Sequence, residues 1–397
     1  MRSAQRIQSI YGIPALLVHT NNVFVFAWHN FVFVFRKRSY FSGTQWSPRI
    51  SIKKVFGMVF NNVLETVGKT PLIRLNSVVS HIPATVYAKV EAFNPGLSAK
   101  DRIALHMIER AERLGKLKPG GTIVDATSGN TGFSLAMVCA IKGYKCVLTV
   151  TSKISDDKLN NLRAMGAEVI LCPQDAKPDD PRSYYRRAEQ LAKDIPGAYY
   201  VNQNFNPDNG EAHYLSTGPE IWEQTEGRIT HLIGSASTGG TLCGSGRYIR
   251  EQNPDLKVIA VDAYGSVLKK YHETGIYDEN EIYSYRIEGT GKNIIPANVD
   301  FELVDRFVKV TDKESALRAR EIARQEGLLV GYSSGGALQC LEQIKDELTA
   351  DDVVVLIFAD HGSKYVSKIF NDDWMREQGF LEEMDVKTNA DSANVLC

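Results

Sequence analysis

The stretch "NPGLSAKDR", residues 94–102, sets Lys100 behind a Gly-Leu-Ser-Ala loop and ahead of apolar residues at helical spacing. A lysine so placed is a solvated charge, a phosphate clamp or an amine held for covalent chemistry. Three further loops of small residues, "TSGNTG" (127–132), "GSASTGGT" (234–241) and "GYSSGG" (331–336), are read at strand-to-helix junctions. Ligands of open α/β sheets bind beyond the carboxyl ends of strands. Convergence of these loops would line a site with hydroxyls and backbone amides. The second loop has the make-up of a phosphate cradle: glycines admit an anion to backbone N–H groups and a following helix aims its N-terminus at it. Taken alone, it reads more readily as a turn.

Nucleotide motifs do not account for the pattern. No GxxxxGK[ST] loop is present, nor a GxGxxG after a strand with an acid about 20 residues on. A smaller phosphate-bearing cofactor is left. A lysine, a phosphate cup and loops of hydroxyls and amides are together what pyridoxal phosphate requires of a protein that holds it through an amine.

Five segments, "ETVGKTPLIRLN" (65–76), "NPGLSAKDR", "TSGNTG", "GSASTGGT" and "GLLVGYSSGG", occur in one order. In that order they resemble the pyridoxal-phosphate β-replacement enzymes of tryptophan-synthase-β (fold type II) architecture, the cysteine synthase and cystathionine β-synthase family, over about residues 60–385. The resemblance implies a two-domain α/β fold with mostly parallel sheets, pyridoxal 5'-phosphate as cofactor, small amino-acid and thiol substrates, and a homodimer. By position, Lys100 resembles the lysine that carries the cofactor, and Asn130 the amide that bonds its ring hydroxyl oxygen. Ser237, Thr238, Gly239, Gly240 and Thr241 match the phosphate cup, and Ser333 the serine facing the pyridine nitrogen. Thr127, Ser128, Asn130 and Thr131 match the turn that grips the substrate carboxylate, with Gln203 as a second contact. A serine hydroxyl, unlike an aspartate, does not keep the ring nitrogen protonated, which favours loss of a β-substituent. Lys100 is then the natural base for the α-proton.

The departures are local. Ala99 replaces the valine usual before the lysine. Ser237 replaces a glycine of the cup, so its backbone must avoid positive φ or bear strain. "NDDWMREQGFLEE" (371–383), "EGTGKNIIPANVD" (288–300), "VDAYGSVL" (261–268) and "EAHY" (211–214) look like cystathionine β-synthase. "STGPEIW" (216–222) and Phe205 look like cysteine synthase, and Asn204 stands where cystathionine β-synthases tend to have tyrosine. The favoured reaction is serine plus homocysteine to cystathionine, with cysteine synthesis from O-acetylserine and sulfide as the alternative. No cysteine precedes Cys139, so the haem-binding Cys/His pair of animal relatives is not expected; nor, with no tandem regulatory domains after the core, is a response to adenosyl nucleotides.

The elements that must position these residues are legible as alternating β-rich runs and helical stretches. Strands are expected at 85–90, 122–127, 145–150, 168–173, 231–236, 257–263 and 353–360, with near-continuous apolar runs that suit sheets covered on both faces. Helices are expected in "KDRIALHMIERAERLG", "GFSLAMVCAIKG", "DDKLNNLRAMGA" and "KESALRAREIARQEG". "PQDAKPDDPRS" (173–183) reads as a surface loop. A catalytic core of 58–385 is expected, with a smaller subdomain at about 96–205 and a larger one at 58–95 plus 206–385; residues 386–397 are a tail.

Of 46 Lys+Arg, eight lie in residues 1–57, which hold no Asp or Glu; 38 basic and 47 acidic residues follow. The near-neutral whole gives no reason to expect nucleic acid. The basic segment carries "VFVFAWHNFVFVF", too short for a membrane helix of about 20 residues. It is expected to lie outside the fold, ahead of a start at Met58; a targeting peptide and a membrane-surface or partner-binding strand are the other readings. The six cysteines are scattered, with no CxxC and no Cys/His cluster, so a reducing, cytoplasmic compartment and no metal are expected. Asp101 and Arg102 read as helix charge and ion pair, His213 and His361 as structural, and Tyr332 and Trp374 as core or interface.

Overall fold

The computed structural model describes residues 59–127 and 129–382, and the backbone of five strands before them. Those strands, β1 (Ala4–Arg6), β2 (Leu16–Thr20), β3 (Val23–Trp28), β4 (Phe31–Tyr40) and β5 (Gly43–Arg49), pair antiparallel in chain order. They fall within a unit of their own, Met1–Asn61; the second unit is Asn62–Cys397.

Two sheets build the second unit. The smaller has strand order β10-β9-β8-β11 and is parallel throughout: β8 (Thr122–Ala126), β9 (Lys145–Thr151), β10 (Glu168–Cys172) and β11 (Tyr199–Tyr200). The larger has order β14-β13-β12-β15-β7-β6: β6 (Leu72–Arg74), β7 (Thr85–Val90), β12 (His231–Ser235), β13 (Lys257–Ala263), β14 (Arg306–Val310) and β15 (Val353–Phe358). Only the β6–β7 pair in it is antiparallel. Central strands β8, β13 and β15 are buried almost end to end because helices cover both faces, as their apolar runs require. Helices α1 (Lys100–Arg113), α2 (Asn130–Lys142), α3 (Asp156–Ala164) and α4 (Tyr184–Asp194) belong to the region of the smaller sheet; α5 (Asp208–Tyr214), α6 (Thr217–Gln224), α7 (Gly240–Gln252), α8 (Leu268–Thr274), α9 (Asp312–Glu326) and α10 (Tyr332–Ile344) follow.

One expectation is corrected. "GLLV" before the third loop is not a strand; only Val330 forms an isolated bridge, to His361, and helix α10 begins at Tyr332. The segment is short because it enters from the left-handed C-cap Gly327 of α9. The five described cysteines are buried and unpaired by disulfides. No helix among the described residues is long and apolar enough to cross a membrane, and no cluster among them could hold a metal ion.

Candidate active site

The loop before Lys100 is built by close backbone packing. Asp101 Oδ2 accepts from the Gly96 amide (2.5 Å) and Oδ1 from Ser134 Oγ (2.5 Å). A Cβ at Gly96 would lie 2.2 Å from that carboxylate, so no other residue fits there without displacing it. Leu97 takes φ +60°, Ala99 N donates to Ala359 O (2.9 Å), and Ser98 bridges Asp360. The loop is thereby fastened to the end of β15, and α1 starts at Lys100. Two residues on, Arg102 anchors α1 in a buried ionic cluster: it bonds both oxygens of Glu91 (2.7 and 2.9 Å) and both oxygens of Glu220 (each 2.7 Å). Lys89 reaches the same Glu220 (2.6 Å).

Lys100 opens on a cavity of about 440 Å³ between the two sheets and on a smaller one of about 40 Å³ behind it. Its amine has no hydrogen-bond partner among the described residues, and its pKa is lowered to about 8 by burial, then by the like charge of Lys292. The small cavity is lined by Ser237, Thr238, Gly239 and Thr241 at the N-terminus of α7. Gly239 takes φ +90°, where a Cβ would meet the Asn298 carbonyl at 2.4 Å. Gly240, the first residue of α7, lines neither cavity; a Cβ there would strike Asn209 Oδ1 at 1.9 Å. Ser237 is not among the described residues with positive φ, so its side chain costs no backbone strain. His213 braces this loop through Thr241 (3.1 Å) and Thr217 (2.7 Å), and burial pushes its pKa down to about 3, leaving the ring neutral.

Thr127, Asn130, Thr131, Gln203, Ser237, Thr238 and Ser333 share the larger cavity with Lys100. Ser128 lies outside the described residues. Gln203 Oε1 accepts from Thr131 Oγ1 (2.7 Å), and its amide nitrogen donates to Asp125 Oδ2 (3.4 Å), a carboxyl whose pKa burial raises to about 7. Ser333 sits in the first turn of α10.

Sequence reasoning passed over several groups in the same cavity. Asp360 accepts from Asn130 Nδ2 (2.8 Å) and from Tyr365 Oη (2.8 Å), and Gly331 leaves the space its carboxylate fills. Lys364 donates to Asn130 Oδ1 (2.5 Å) and to the Gly96 carbonyl (2.9 Å). Glu288 bridges Lys158 and Lys368. Asp360 comes two residues after the end of the apolar strand Val353–Phe358, so its place beyond a strand end was a usable signal. Glu288 and Lys158 are 130 residues apart and gave none.

The residues fit pyridoxal phosphate on two counts. An unpartnered, partly deprotonated amine faces both cavities, and the smaller cavity ends on a 13-residue helix whose first amides have no partner within the helix.

The comparisons with known proteins agree. The family model described as "Pyridoxal-phosphate dependent enzyme" matches residues 63–360. Cystathionine beta-synthase of Apis mellifera is 42% identical over 326 residues, covering 82% of this chain and 64% of that protein. Cysteine synthase of Staphylococcus aureus is 39% identical over 308 residues, 77% of this chain and 96% of that protein. The chain thus spans just under two thirds of the bee relative. Among solved structures, a hydrogen sulfide-producing enzyme from Fusobacterium nucleatum superposes with TM-score 0.71 at 32% identity, over 78% of this chain and 99% of that one. O-ureido-L-serine synthase gives TM-score 0.71 at 31% identity, over 80% and 99%. With the site geometry and these likenesses together, the chain belongs to the pyridoxal-phosphate-dependent enzymes of fold type II, in the family that includes cystathionine beta-synthases and cysteine synthases.

Proposed function

We propose that the chain catalyses β-replacement on a serine-type amino acid by a thiol, with serine and homocysteine giving cystathionine. The carrying observation is that Lys100 opens at once on the cup at α7 and on the cavity lined by Thr127, Asn130, Thr131 and Gln203. Bound there, pyridoxal phosphate supplies an electron sink that acidifies the α-proton of the amino acid. In this reading Lys100 holds the cofactor and its Nζ takes the α-proton; Ser237, Thr238, Gly239 and Thr241 hold the phosphate, and Asn130 and Ser333 meet the ring. Thr127, Ser128, Asn130, Thr131 and Gln203 grip the substrate carboxylate.

The serine and homocysteine pair is supported by the four segments resembling cystathionine β-synthases and by the bee relative. Cysteine synthesis is the second reading, supported by Asn204, by Phe205 and by the Staphylococcus aureus enzyme, almost all of whose length this chain covers. Hydroxide is a poor leaving group, so serine needs acid assistance that O-acetylserine does not. We expect kcat/KM for serine with homocysteine to exceed that for O-acetylserine with sulfide by at least about 10-fold, since that ratio reports differential transition-state binding. A preference of similar size the other way would overturn the choice of substrates and leave the residue roles standing.

The proposal assigns the activity to residues 58–385, as subdomains at about 96–205 and at 58–95 plus 206–385, working as a homodimer in the cytoplasm. Protein beginning at Met58 is expected to fold, bind the cofactor and turn over at the rate of the full chain. Aggregation or loss of cofactor absorbance in the shortened protein would show that residues 1–57 are structural.

A further inference from the structure

Four lysines open on the larger cavity, and three have an evident occupation. Lys100 is the amine assigned to the cofactor. Lys158 is paired with Glu288, and Lys364 is spent on Asn130 Oδ1 and the Gly96 carbonyl. Lys292 is different: its side chain has no hydrogen bond or ion pair among the described residues.

The backbone that carries Lys292 is fixed. Its amide donates to Ser266 Oγ (2.9 Å), its carbonyl accepts from Val267 N (3.0 Å), and the Gly291 amide donates to Ala236 O (2.6 Å). Gly291 takes φ +76°, and a Cβ there would lie 2.8 Å from Ser266 Cβ, so the turn is closely packed. Thr290 Oγ1 donates to Ser235 Oγ (2.9 Å), tying the same turn to the end of β12. The root of Lys292 is therefore rigid and belongs to the wall of the larger sheet, whereas the 127–131 turn follows β8 of the smaller sheet. Its charge is felt by Lys100, the base of the proposed reaction, and by Asp125, which bonds Gln203.

A cation in a half-closed cavity, without a counter-ion and near another amine, is a receptor for an anion. The carboxylate of the first substrate already has a receptor in the turn and Gln203. We infer that Lys292 receives the carboxylate of the incoming nucleophile, so that the second substrate is a carboxylate-bearing thiol rather than sulfide. This rests on the β-replacement reading above and deepens it. A lysine suits the task because its ammonium is a point charge on a flexible stem and can follow one carboxylate as the sulfur approaches.

The test compares two thiols on one first substrate, serine or O-acetylserine, whichever the holoenzyme turns over. Homocysteine carries the carboxylate, and mercaptoethanol lacks it. In Lys292→Met the ratio of kcat/KM for homocysteine to that for mercaptoethanol is expected to fall at least about 10-fold, the worth of a charge-assisted hydrogen bond, mostly as a rise in the KM for homocysteine. Lys292→Arg should recover part of the ratio. In the unaltered enzyme, raising the salt concentration should raise the KM for homocysteine more than that for mercaptoethanol, a measurement that stands even if the variant does not fold. An unchanged ratio in Lys292→Met, equal losses for both thiols, or equal salt responses overturns the assignment of Lys292 while β-replacement stands. Failure of the unaltered holoenzyme to turn over either first substrate overturns the β-replacement reading and the inference with it.

Discussion

Lys100→Ala is expected to lower turnover by roughly 10⁴-fold or more, because in the proposed reading one change removes both the covalent hold on the cofactor and the general base. The choice of Lys100 among four lysines on one cavity has a physical basis. With a pKa of about 8, about a tenth of its amine is uncharged at pH 7, against roughly one part in 3,000 for a lysine at its ordinary 10.5. Lys158 and Lys364 are held by Glu288 and by Asn130. The uncharged fraction grows as pH rises through about 8, so the rate at which apoprotein takes up pyridoxal phosphate should climb from pH 6 and level off above about 9. Borohydride reduction of the holoenzyme followed by peptide mapping should place the pyridoxyl group on the peptide carrying Lys100. Finding it on Lys158, Lys292 or Lys364 would remove Lys100 from its role.

The second large effect concerns stability. Arg102→Met should destabilise the fold by about 3–5 kcal/mol, read as a lower denaturant midpoint, because it strands the Glu91 carboxylate inside the protein. Arg102 and Glu91 have side-chain exposures of 2% and 0%. Adding Glu91→Gln to Arg102→Met should cost less than Arg102→Met alone, since the stranded charge is then gone. A double variant as unstable as the sum of the singles would show that lost packing, and not lost charge balance, governs the site. Glu220 brings a pH signature. Burial would raise its pKa, but Arg102 and Lys89 hold it down at about 2. Its contribution is therefore complete above about pH 4.5 and is lost as pH falls toward 2.

The sequence made the sheets legible where strands are long and buried on both faces. The seven expected runs appear with ends shifted by no more than about two residues, because Val/Ile/Leu continuity has no other use there. Strand β14, "RFVKV", was passed over because its charged residues break that continuity, and β6 and β11 are too short to show a pattern. Within the site, loops of glycine and hydroxyl residues could be read, since few other roles require those types together. Partners brought together only by the fold could not. Arg102 was read as an ion pair, yet nothing local announced that its partners would be Glu91 and a glutamate 118 residues away. Glu288 between Lys158 and Lys368, and Lys292 without a counter-ion, depend in the same way on long-range placement.

The burial of the five described cysteines bears on the redox life of the protein. Exchange between thiols and disulfides needs an accessible thiolate. Here the thiol of Cys146 is pushed well up by its hydrogen bond with Cys139 and by burial, and those of Cys243 and Cys340 are pushed up to about 12 by burial. In the proposed reaction the second substrate is a thiol, which brings mixed disulfides and oxidised sulfur with it. With these five sulfurs enclosed, the proposed reaction is expected to leave the described part of the protein without covalent adducts of its thiol substrate, and to draw no reducing equivalents from the pool that supplies it.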